Sequence, residues 1–336
     1  MNEIDPFARA LWLVLGFGLC LYALTGGADL GAGFLSLTAR GPKRREQRAT
    51  IEHAIAPIWE ANHVWLIFVV VVMFSAFPRA FAVLSVAMHV PIALALIGVV
   101  LRGAALSFHA YGMEPSAARE RWARIFAWSS AITPLFLGTV VGGVSTGHVR
   151  VQSGTVTTGF FAGWTTPFAL LVGLLSLALF TLLAAVYLAA EAGAELEREF
   201  RKSAFLAEIV GAVLAFAAFF RSRYDAPQLF AKLIGSSWSL PLQLATAGFA
   251  VLTLLLLARG QPRYARFSVA VQVALVVVGW GLAMDGHFVV PDVTLANAGS
   301  RPEVLPALSI ALACGSLLLL PALFYLYRVF KLKGRA

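Results

Sequence analysis

The stretch ALWLVLGFGLCLYALTGGADLGAGFLSL, residues 10–37, contains 28 residues and a single charged side chain, Asp29. An α-helix rises about 1.5 Å per residue, so a helix of this length exceeds the roughly 30 Å hydrocarbon core of a membrane. The stretch therefore predicts a transmembrane helix close to the start of the sequence. Further apolar blocks, each long enough to cross a membrane, follow it along the chain.

The composition excludes a water-soluble globular protein. Of the 336 residues, 60% are hydrophobic and 13% are charged, whereas soluble domains have roughly 45–50% and about 25%. No stretch shows the period-two alternation of a transmembrane β-barrel. Cys20 and Cys314 lie in separate apolar blocks, where buried thiols are a simpler interpretation than a disulfide or a metal pair. The predicted fold class is an all-α polytopic membrane protein.

Charges, Gly/Pro clusters and hydrophobic length predict about nine transmembrane helices in a single integral membrane domain, residues 1–336. The predicted spans are near 10–37, 54–77, 80–108, 122–145, 158–190, 203–221, 238–258, 264–286 and 304–328. The opening MNEIDPFARA is acidic before it is basic, and no small-residue cleavage site follows it. The first helix is therefore predicted to be an anchor and not a removed signal peptide.

Lys and Arg predict the orientation of these helices. With the N-terminus outside, 18 of the 26 basic residues fall in inner segments, seven fall in outer segments, and Arg102 lies within a span. Cytoplasmic segments carry the excess of basic residues in membrane proteins, so the C-terminus is predicted to be cytoplasmic. The net charge of +9 is then a topology signal, and nucleic acid is not expected as a partner.

Asp29 is the first candidate functional residue, because an ionisable side chain inside a span is costly. It lies among glycines in GGADLGAGFL, residues 26–35, and Gly27 and Gly31 are four apart. Glycines at this spacing let another helix approach closely, which would bury Asp29 between helices. Asp29 then either has a functional role or simply bonds a neighbouring backbone or an Arg. A phosphate-binding loop is disfavoured, since no strand precedes the glycines and no Lys follows them.

The segment IEHAIAPIWEANHVWL, residues 51–66, gathers several polar side chains within the second predicted span. Pro57 removes a backbone donor and leaves a polar point in the helix. Glu60 and His63 are three apart and share a face, with Asn62 beside them. A Glu-x-x-His motif can be half of a carboxylate di-iron site, but such a site needs a second copy and two further Glu residues. The sequence contains no second copy, so no metal site is predicted.

Arg102 lies in the third predicted span, and its depth can be compared with the depths of the acids. Counted from the predicted cytoplasmic ends, Asp29 is about eight residues deep, and Glu60 and Arg102 are each about six, or roughly 9–12 Å. Three buried charges are thus predicted in one layer. They either neutralise one another, with Glu60 or Asp29 the expected partner of Arg102, or relay protons with Asn62 and His63.

Haem ligation by this chain is disfavoured. Axial haem ligands in helical bundles are usually His, Met or Cys within spans. His63 and His89 are the histidines clearly inside predicted spans, and they do not lie at matched depths.

Several segments together resemble the second subunit of cytochrome bd-type quinol oxidases, the terminal respiratory oxidases of bacteria and archaea. The segments that carry the resemblance are GGADLGAGFL (26–35), IAPIWEANHVWL (55–66), AFPRAFAVL (76–84), LRGAALSF (101–108), TPLFLGTVVGGV (133–144), VGWGLAMDG (278–286) and VPDVTLANA (290–298). The resemblance covers essentially the whole chain and is most specific around Glu60.

The resemblance implies two four-helix bundles plus one peripheral helix in a multi-pass protein of the cytoplasmic membrane. It implies a haem-bearing first subunit as partner, with haem b and haem d there and neither a redox centre nor a catalytic residue on this chain. Small accessory subunits, membrane lipids and a bound quinone are compatible further partners.

The resemblance also implies roles for individual residues. Glu60 matches a position that is usually Asp in a proton pathway, and Asp29 matches the second acid of a D-G-x-D motif. Trp65 matches a tryptophan near a proposed oxygen entry, and Arg102 matches an arginine of the third helix. Gly26 stands where the first acid of D-G-x-D is expected, so one carboxylate of the family's polar path is missing.

Three functions are weighed on these grounds. The leading hypothesis is a haem-free oxidase subunit that assists proton and oxygen access and assembly of its partner. The alternative is a purely structural subunit of a redox complex whose acids are neutralised by Arg102. A secondary transporter is the least favoured, because nine spans do not divide into inverted repeats.

Overall fold

The computed structural model describes residues 5–55, 59–111 and 116–329, and this part of the chain is predominantly helical. The helices are α1 (Pro6–Thr38), α2 (Arg44–Ile55), α3 (Trp59–Ala76), α4 (Pro78–Ala87), α5 (His89–Tyr111), α6 (Ser116–Ser145), α7 (Pro167–Glu191), α8 (Ala194–Asp225), α9 (Pro227–Gly235), α10 (Ser239–Ala258), α11 (Pro262–Ala283), α12 (Leu295–Ala298) and α13 (Val304–Tyr327). Two antiparallel hairpins pair β1 (Val151–Gln152) with β2 (Thr155–Val156) and β3 (His287–Val289) with β4 (Val293–Thr294).

Eight helices in the described part of the chain are long and apolar enough to cross a membrane, which confirms the predicted all-α membrane fold. A ninth span results if α2 and the segment Glu60–Ala76 of α3 are taken together, since they form one pair bent by 55°. Pro57, which was expected to leave a polar point in this span, lies outside the described residues.

The interval 80–108 was predicted as one span, but two helices divide it. α4 ends at Ala87, and α5 begins at His89 after the fully buried Met88. The break follows from Pro91, which has no N–H to donate to the carbonyl of Ala87 four residues earlier. The membrane-spanning part is accordingly His89–Phe108, and α4 is a separate short apolar helix.

α7 begins at Pro167, nine residues later than the predicted span 158–190. The residues before it form turns, and Gly163 adopts a φ of +81° that disfavours other residue types. Thr166 then caps the helix, since its hydroxyl accepts a hydrogen bond from the backbone N–H of Ala169 at 3.2 Å. Proline at the first helical position completes a favourable start.

α1 and α7 are central to the packing. α1 contacts α3, α6, α7 and α11, and α7 also packs against α6, α8 and α11. Fully buried leucines mark this interior, among them Leu30 on α1 and Leu182 and Leu183 on α7. α13 is peripheral, because none of its membrane-spanning window is buried within the chain.

Glycines allow the closest helix contact in this interior. A Cβ atom at Gly31 of α1 would lie 1.9 Å from the backbone oxygen of Phe180 on α7, and one at Gly27 would lie 2.6 Å from the Phe180 ring. Neither position can accept even a methyl group without displacing a neighbour. The glycines around Asp29 therefore bring the backbone of α1 directly against α7.

Candidate functional site: a buried ion pair beside aromatic and polar side chains

Asp29 and Arg102 form an ion pair inside the helix bundle. Arg102 Nη2 of α5 lies 2.6 Å from Asp29 Oδ1 of α1, and the two side chains are 2% exposed or less. Of the two acids expected to partner Arg102, the structure places Asp29 there. Arg102 is the largest fully buried side chain in the described part of the chain. Its buried positive charge therefore requires a carboxylate beside it.

The guanidinium of Arg102 also connects these helices to α6. Its Nε donates to Ser130 Oγ at 3.2 Å, and its central carbon lies 5.2 Å from the centre of the Phe126 ring. Ser130 Oγ in turn donates to the carbonyl of Phe126 at 2.6 Å. A planar cation that stacks on an aromatic ring and donates at its edge is held in one orientation. The ion pair thus ties α1, α5 and α6 together.

Polar atoms of the Asp29–Arg102 pair remain available for further hydrogen bonds. Asp29 Oδ2 and Arg102 Nη1 are buried, and neither has a hydrogen-bond partner within the described part of the chain. A buried carboxylate has about four acceptor positions and a guanidinium has five donors. The pair can therefore bind a further polar group or water beside the ionic contact.

Tyr22 is a site residue that the sequence reasoning missed. It lies on α1 seven residues before Asp29, and its ring meets His63 of α3 edge to face, with 6.2 Å between ring centres. Tyr22 is 5% exposed, and its hydroxyl has no hydrogen-bond partner among the described residues. Two helical turns separate positions seven apart, so the spacing from Asp29 was the available signal.

α3 presents both buried and exposed polar residues. Asn62, His63 and Trp65 are each less than a tenth exposed, and the Trp65 ring meets Phe68 edge to face at 6.1 Å. Glu60, in the first turn of α3, is exposed on the surface of this chain. Of the three charges predicted in one buried layer, Asp29 and Arg102 are buried within this chain and Glu60 lies on its surface, because depth along a helix does not determine which side the residue faces.

The two histidines considered as haem ligands lie in different surroundings. His63 is buried, whereas His89 is the first residue of α5 and its ring lies 5.2 Å from the ring of the exposed Phe160. Across residues 5–55, 59–111 and 116–329, no group of three His, Cys, Asp or Glu side chains is placed to hold a metal ion.

A second charged contact joins the two hairpins, away from the membrane-spanning helices. Arg150 donates from Nε and Nη2 to the two oxygens of Asp292 at 2.9 and 3.1 Å, and the N–H of Val151 donates to Asp292 Oδ2 at 2.7 Å. The hydrogen bond from Arg150 is the main reason that the pKa of Asp292 lies below its usual value. The ionised carboxylate of Asp292 therefore links the β3–β4 hairpin to the β1–β2 hairpin.

Comparison with known proteins identifies relatives of the whole chain. The family model described as "Cytochrome bd terminal oxidase subunit II" matches residues 7–330. The chain is 25% identical over 332 residues to the "Putative cytochrome bd menaquinol oxidase subunit II" of Bacillus subtilis (strain 168), covering 96% of this chain and 94% of that protein.

Two further comparisons agree with this match. The chain is 30% identical over 219 residues to the "Cytochrome bd-I ubiquinol oxidase subunit 2" of Escherichia coli (strain K12), covering 62% of this chain and 55% of that protein. Its fold is similar to a chain in the structure of the bd oxidase from Geobacillus thermodenitrificans, with a TM-score of 0.82, 23% identity, and coverage of 97% and 99% of the two chains.

Proposed function

Because the chain belongs to the cytochrome bd terminal oxidase subunit II family, we propose that its buried polar residues assist proton delivery in a quinol:oxygen oxidoreductase. The family consists of second subunits, so a first subunit is the expected partner in the bacterial cytoplasmic membrane. Haem b and haem d in that partner would supply electron transfer and oxygen reduction. This chain would supply protons, a path for oxygen and a surface for assembly.

The proposed proton path starts at Glu60. Its exposed carboxyl at the first turn of α3 can take up a proton, and Asn62 and His63 follow on the same helix as buried polar groups. His63 contacts Tyr22, which shares α1 with Asp29. Neutral imidazole, phenol and amide groups can each hold water or pass a proton along such a chain.

Asp29 and Arg102 have a different part in this proposal. The Asp29 carboxylate compensates the buried charge of Arg102 at 2.6 Å, so we assign it no proton-transfer step. Its buried negative charge and unpartnered oxygen can instead attract and orient a hydrated proton or water nearby. The pair would act as a fixed polar anchor for the path.

The observation that carries the proposal is the ring contact of His63 with Tyr22, 6.2 Å between centres, which brings the helix of Glu60 against the helix of Asp29. Glu60→Gln keeps the shape of the side chain and removes its proton-transfer ability. Oxygen consumption by the assembled complex should fall about tenfold or more, since a positioned proton-transfer group contributes roughly 10²–10⁴-fold. The haem content of the partner should stay normal. Glu60→Asp should retain much of the activity, because a carboxyl remains available.

A purely structural role is the second candidate, and the Asp29–Arg102 contact favours it. An ion pair between two spans can fix helix positions without any part in proton transfer. If Glu60→Gln leaves turnover unchanged, protons reach the oxidase by another route and the structural role is supported. If the same substitution removes the haems, Glu60 itself is needed for assembly.

We also retain Trp65 as a candidate for oxygen access, and accessory subunits, lipids or a quinone as candidate partners. Trp65 and Phe68 form an apolar aromatic edge on α3 beside α1, where a Cβ at Gly18 would lie 2.8 Å from Phe68. A small apolar gas would dissolve in such a region more readily than in a polar channel. The apparent KM for oxygen of a Trp65→Phe complex tests this role.

A further inference from the structure

A second buried acid, Glu208, lies on α8 and was missed by the sequence reasoning, although it stands inside the predicted span 203–221. Glu208 is 2% exposed. It follows the first residue of α8 by 14 positions, or roughly 21 Å at helical rise, which places it deep within the spanning helix. Gln272 of α11, 5% exposed, donates from Nε2 to Glu208 Oε1 at 2.7 Å.

The second oxygen of each side chain has no hydrogen-bond partner. Glu208 Oε2 and Gln272 Oε1 are both buried and unpartnered in the described part of the chain. With an ionised Glu208, both atoms are acceptors and neither can bond the other. A protonated carboxyl carries one O–H donor, which is the group that Gln272 Oε1 lacks. A proton on Glu208 would therefore supply the donor that this pair of acceptors lacks.

The ionisable residues of the surrounding helices lie towards the helix ends. α8 carries none besides Glu208 between Lys202 and Arg221. α7 has none before Tyr187, which is followed by the exposed Glu191 at the helix end. α10 has no ionisable residue between Ser239 and Ala258. The ionisable residues of α11 are Arg263, Tyr264 and Arg266. Arg266 lies six positions before Gln272.

Charged groups on α1 and α9 are engaged elsewhere. α1 packs against α11 and carries Asp29, which contacts Arg102. The thiol of Cys20 on α1 faces the carbonyl of Ala274 at 3.8 Å. Lys232 of α9, near the other end of α8, contacts Asp285 at 2.6 Å. No cation in the described part of the chain is thus shown opposite Glu208.

Two buried hydroxyls on α10 and α11, those of Thr253 and Ser268, also have other partners. Ser268, one turn before Gln272, donates to the carbonyl of Phe249 at 2.9 Å, and Thr253 Oγ1 lies 2.9 Å from Ser268 Oγ. Both hydroxyls therefore have hydrogen-bond partners other than Glu208 and Gln272.

We propose that Glu208 is a proton-binding site within the membrane, where its carboxyl is held in the neutral form by Gln272. The proton forms the Oε2–H bond, and that O–H donates to Gln272 Oε1 while Gln272 Nε2 donates to Glu208 Oε1. Both polar groups are then paired within an apolar surrounding. An unpaired carboxylate at this position would instead carry the large desolvation cost of a buried charge. The site is separate from Asp29 and adds to the proposed proton path without depending on it.

Infrared spectroscopy of the purified complex tests the proposal directly. At pH 7, the wild-type complex should show a carbonyl stretch of a protonated carboxyl group that moves on exchange into D₂O. The Glu208→Gln complex should lack this band. Glu199→Gln is the matched control on the same helix, since Glu199 is 40% exposed and contacts Lys202 at 2.8 Å. The control should lose carboxylate bands and keep the protonated-carboxyl band.

Gln272→Leu provides a second test if the Glu208 variant fails to assemble. Loss of the amide should shift the same band to higher frequency, because the Glu208 carbonyl oxygen would no longer accept a hydrogen bond. The proposal is overturned if Glu208→Gln removes ionised-carboxylate bands in place of the protonated one. It is also overturned if Gln272→Leu leaves every protonated-carboxyl band unmoved.

Discussion

Arg102 Nη2 and Asp29 Oδ1 lie 2.6 Å apart although the two residues are 73 positions apart in the chain. Both side chains are essentially inaccessible to solvent. The contact joins the first transmembrane helix to α5 at a point where Ser130 and Phe126 of α6 also touch the guanidinium. Three helices are consequently positioned by one buried cation.

Asp29→Asn should destabilise the chain strongly. The substitution keeps the size of the side chain but leaves the Arg102 charge buried without compensation, which costs about 3–5 kcal/mol. Thermal unfolding of the purified complex measures the loss. Combining Asp29→Asn with Arg102→Met removes both charges and should recover part of the stability. Equal stability of wild type and the single variant would show that the pair does not hold the fold.

Gly31→Ala should disrupt the contact between α1 and α7. The new methyl group would overlap the Phe180 carbonyl, and such overpacking typically costs about 1–3 kcal/mol. Gly16→Ala on the same helix is the matched control, because a Cβ there meets no atom within 4 Å. The control should be neutral or slightly stabilising, since Ala favours helix by about 1 kcal/mol over Gly. Yields of assembled complex and thermal stability distinguish the two variants.

Acid should loosen the two hairpins joined by Asp292. The Arg150 contact lowers the pKa of Asp292, so its contribution to stability is present above the unfolded-state pKa of about 3.9 and is lost as pH falls through the lower folded-state pKa. The protection of the Val151 amide, meaning its exchange rate relative to the intrinsic rate at the same pH, should therefore fall as the pH is lowered below about 4. Asp292→Asn should show faster exchange already at pH 7 and a weaker dependence on pH.

Trp65→Phe should raise the apparent KM for oxygen more than it lowers the maximal rate. The residue is 7% exposed and packs against Phe68, so the smaller ring alters the apolar lining with limited effect on folding. Oxygen-consumption curves at low oxygen concentration give both parameters. An unchanged KM would remove Trp65 from the oxygen path.

Hydropathy and glycine spacing were enough to predict the membrane fold and the burial of Asp29. The hydropathy pattern of a sequence indicates how deep a residue lies in the membrane, which explains why Asp29 and Arg102 were predicted in one layer. It records rotation about the helix axis poorly, so Glu60 was assigned to the same layer although it faces outward. Tyr22 and Glu208 were missed because their importance comes from partners on distant helices, His63 and Gln272.

The break at Met88 shows a different limit of the sequence pattern. Hydrophobicity continues from α4 into α5, so a hydropathy window detects one span there. The local signal was Pro91, whose missing N–H removes a single helical hydrogen bond. A hydropathy window does not register the loss of this one hydrogen bond, which is why the break was not predicted.

The contact at Gly31 also has a mechanical consequence. Where the backbone of α1 touches the backbone of α7 with no side chain between them, neither helix can slide along the other without a collision at the Phe180 carbonyl. The two helices are therefore expected to move as one rigid body. The contact of α3 with α1 at Gly18 differs in kind, because it is made by the side chains of Phe68 and Val69, which can rotate without moving the backbone.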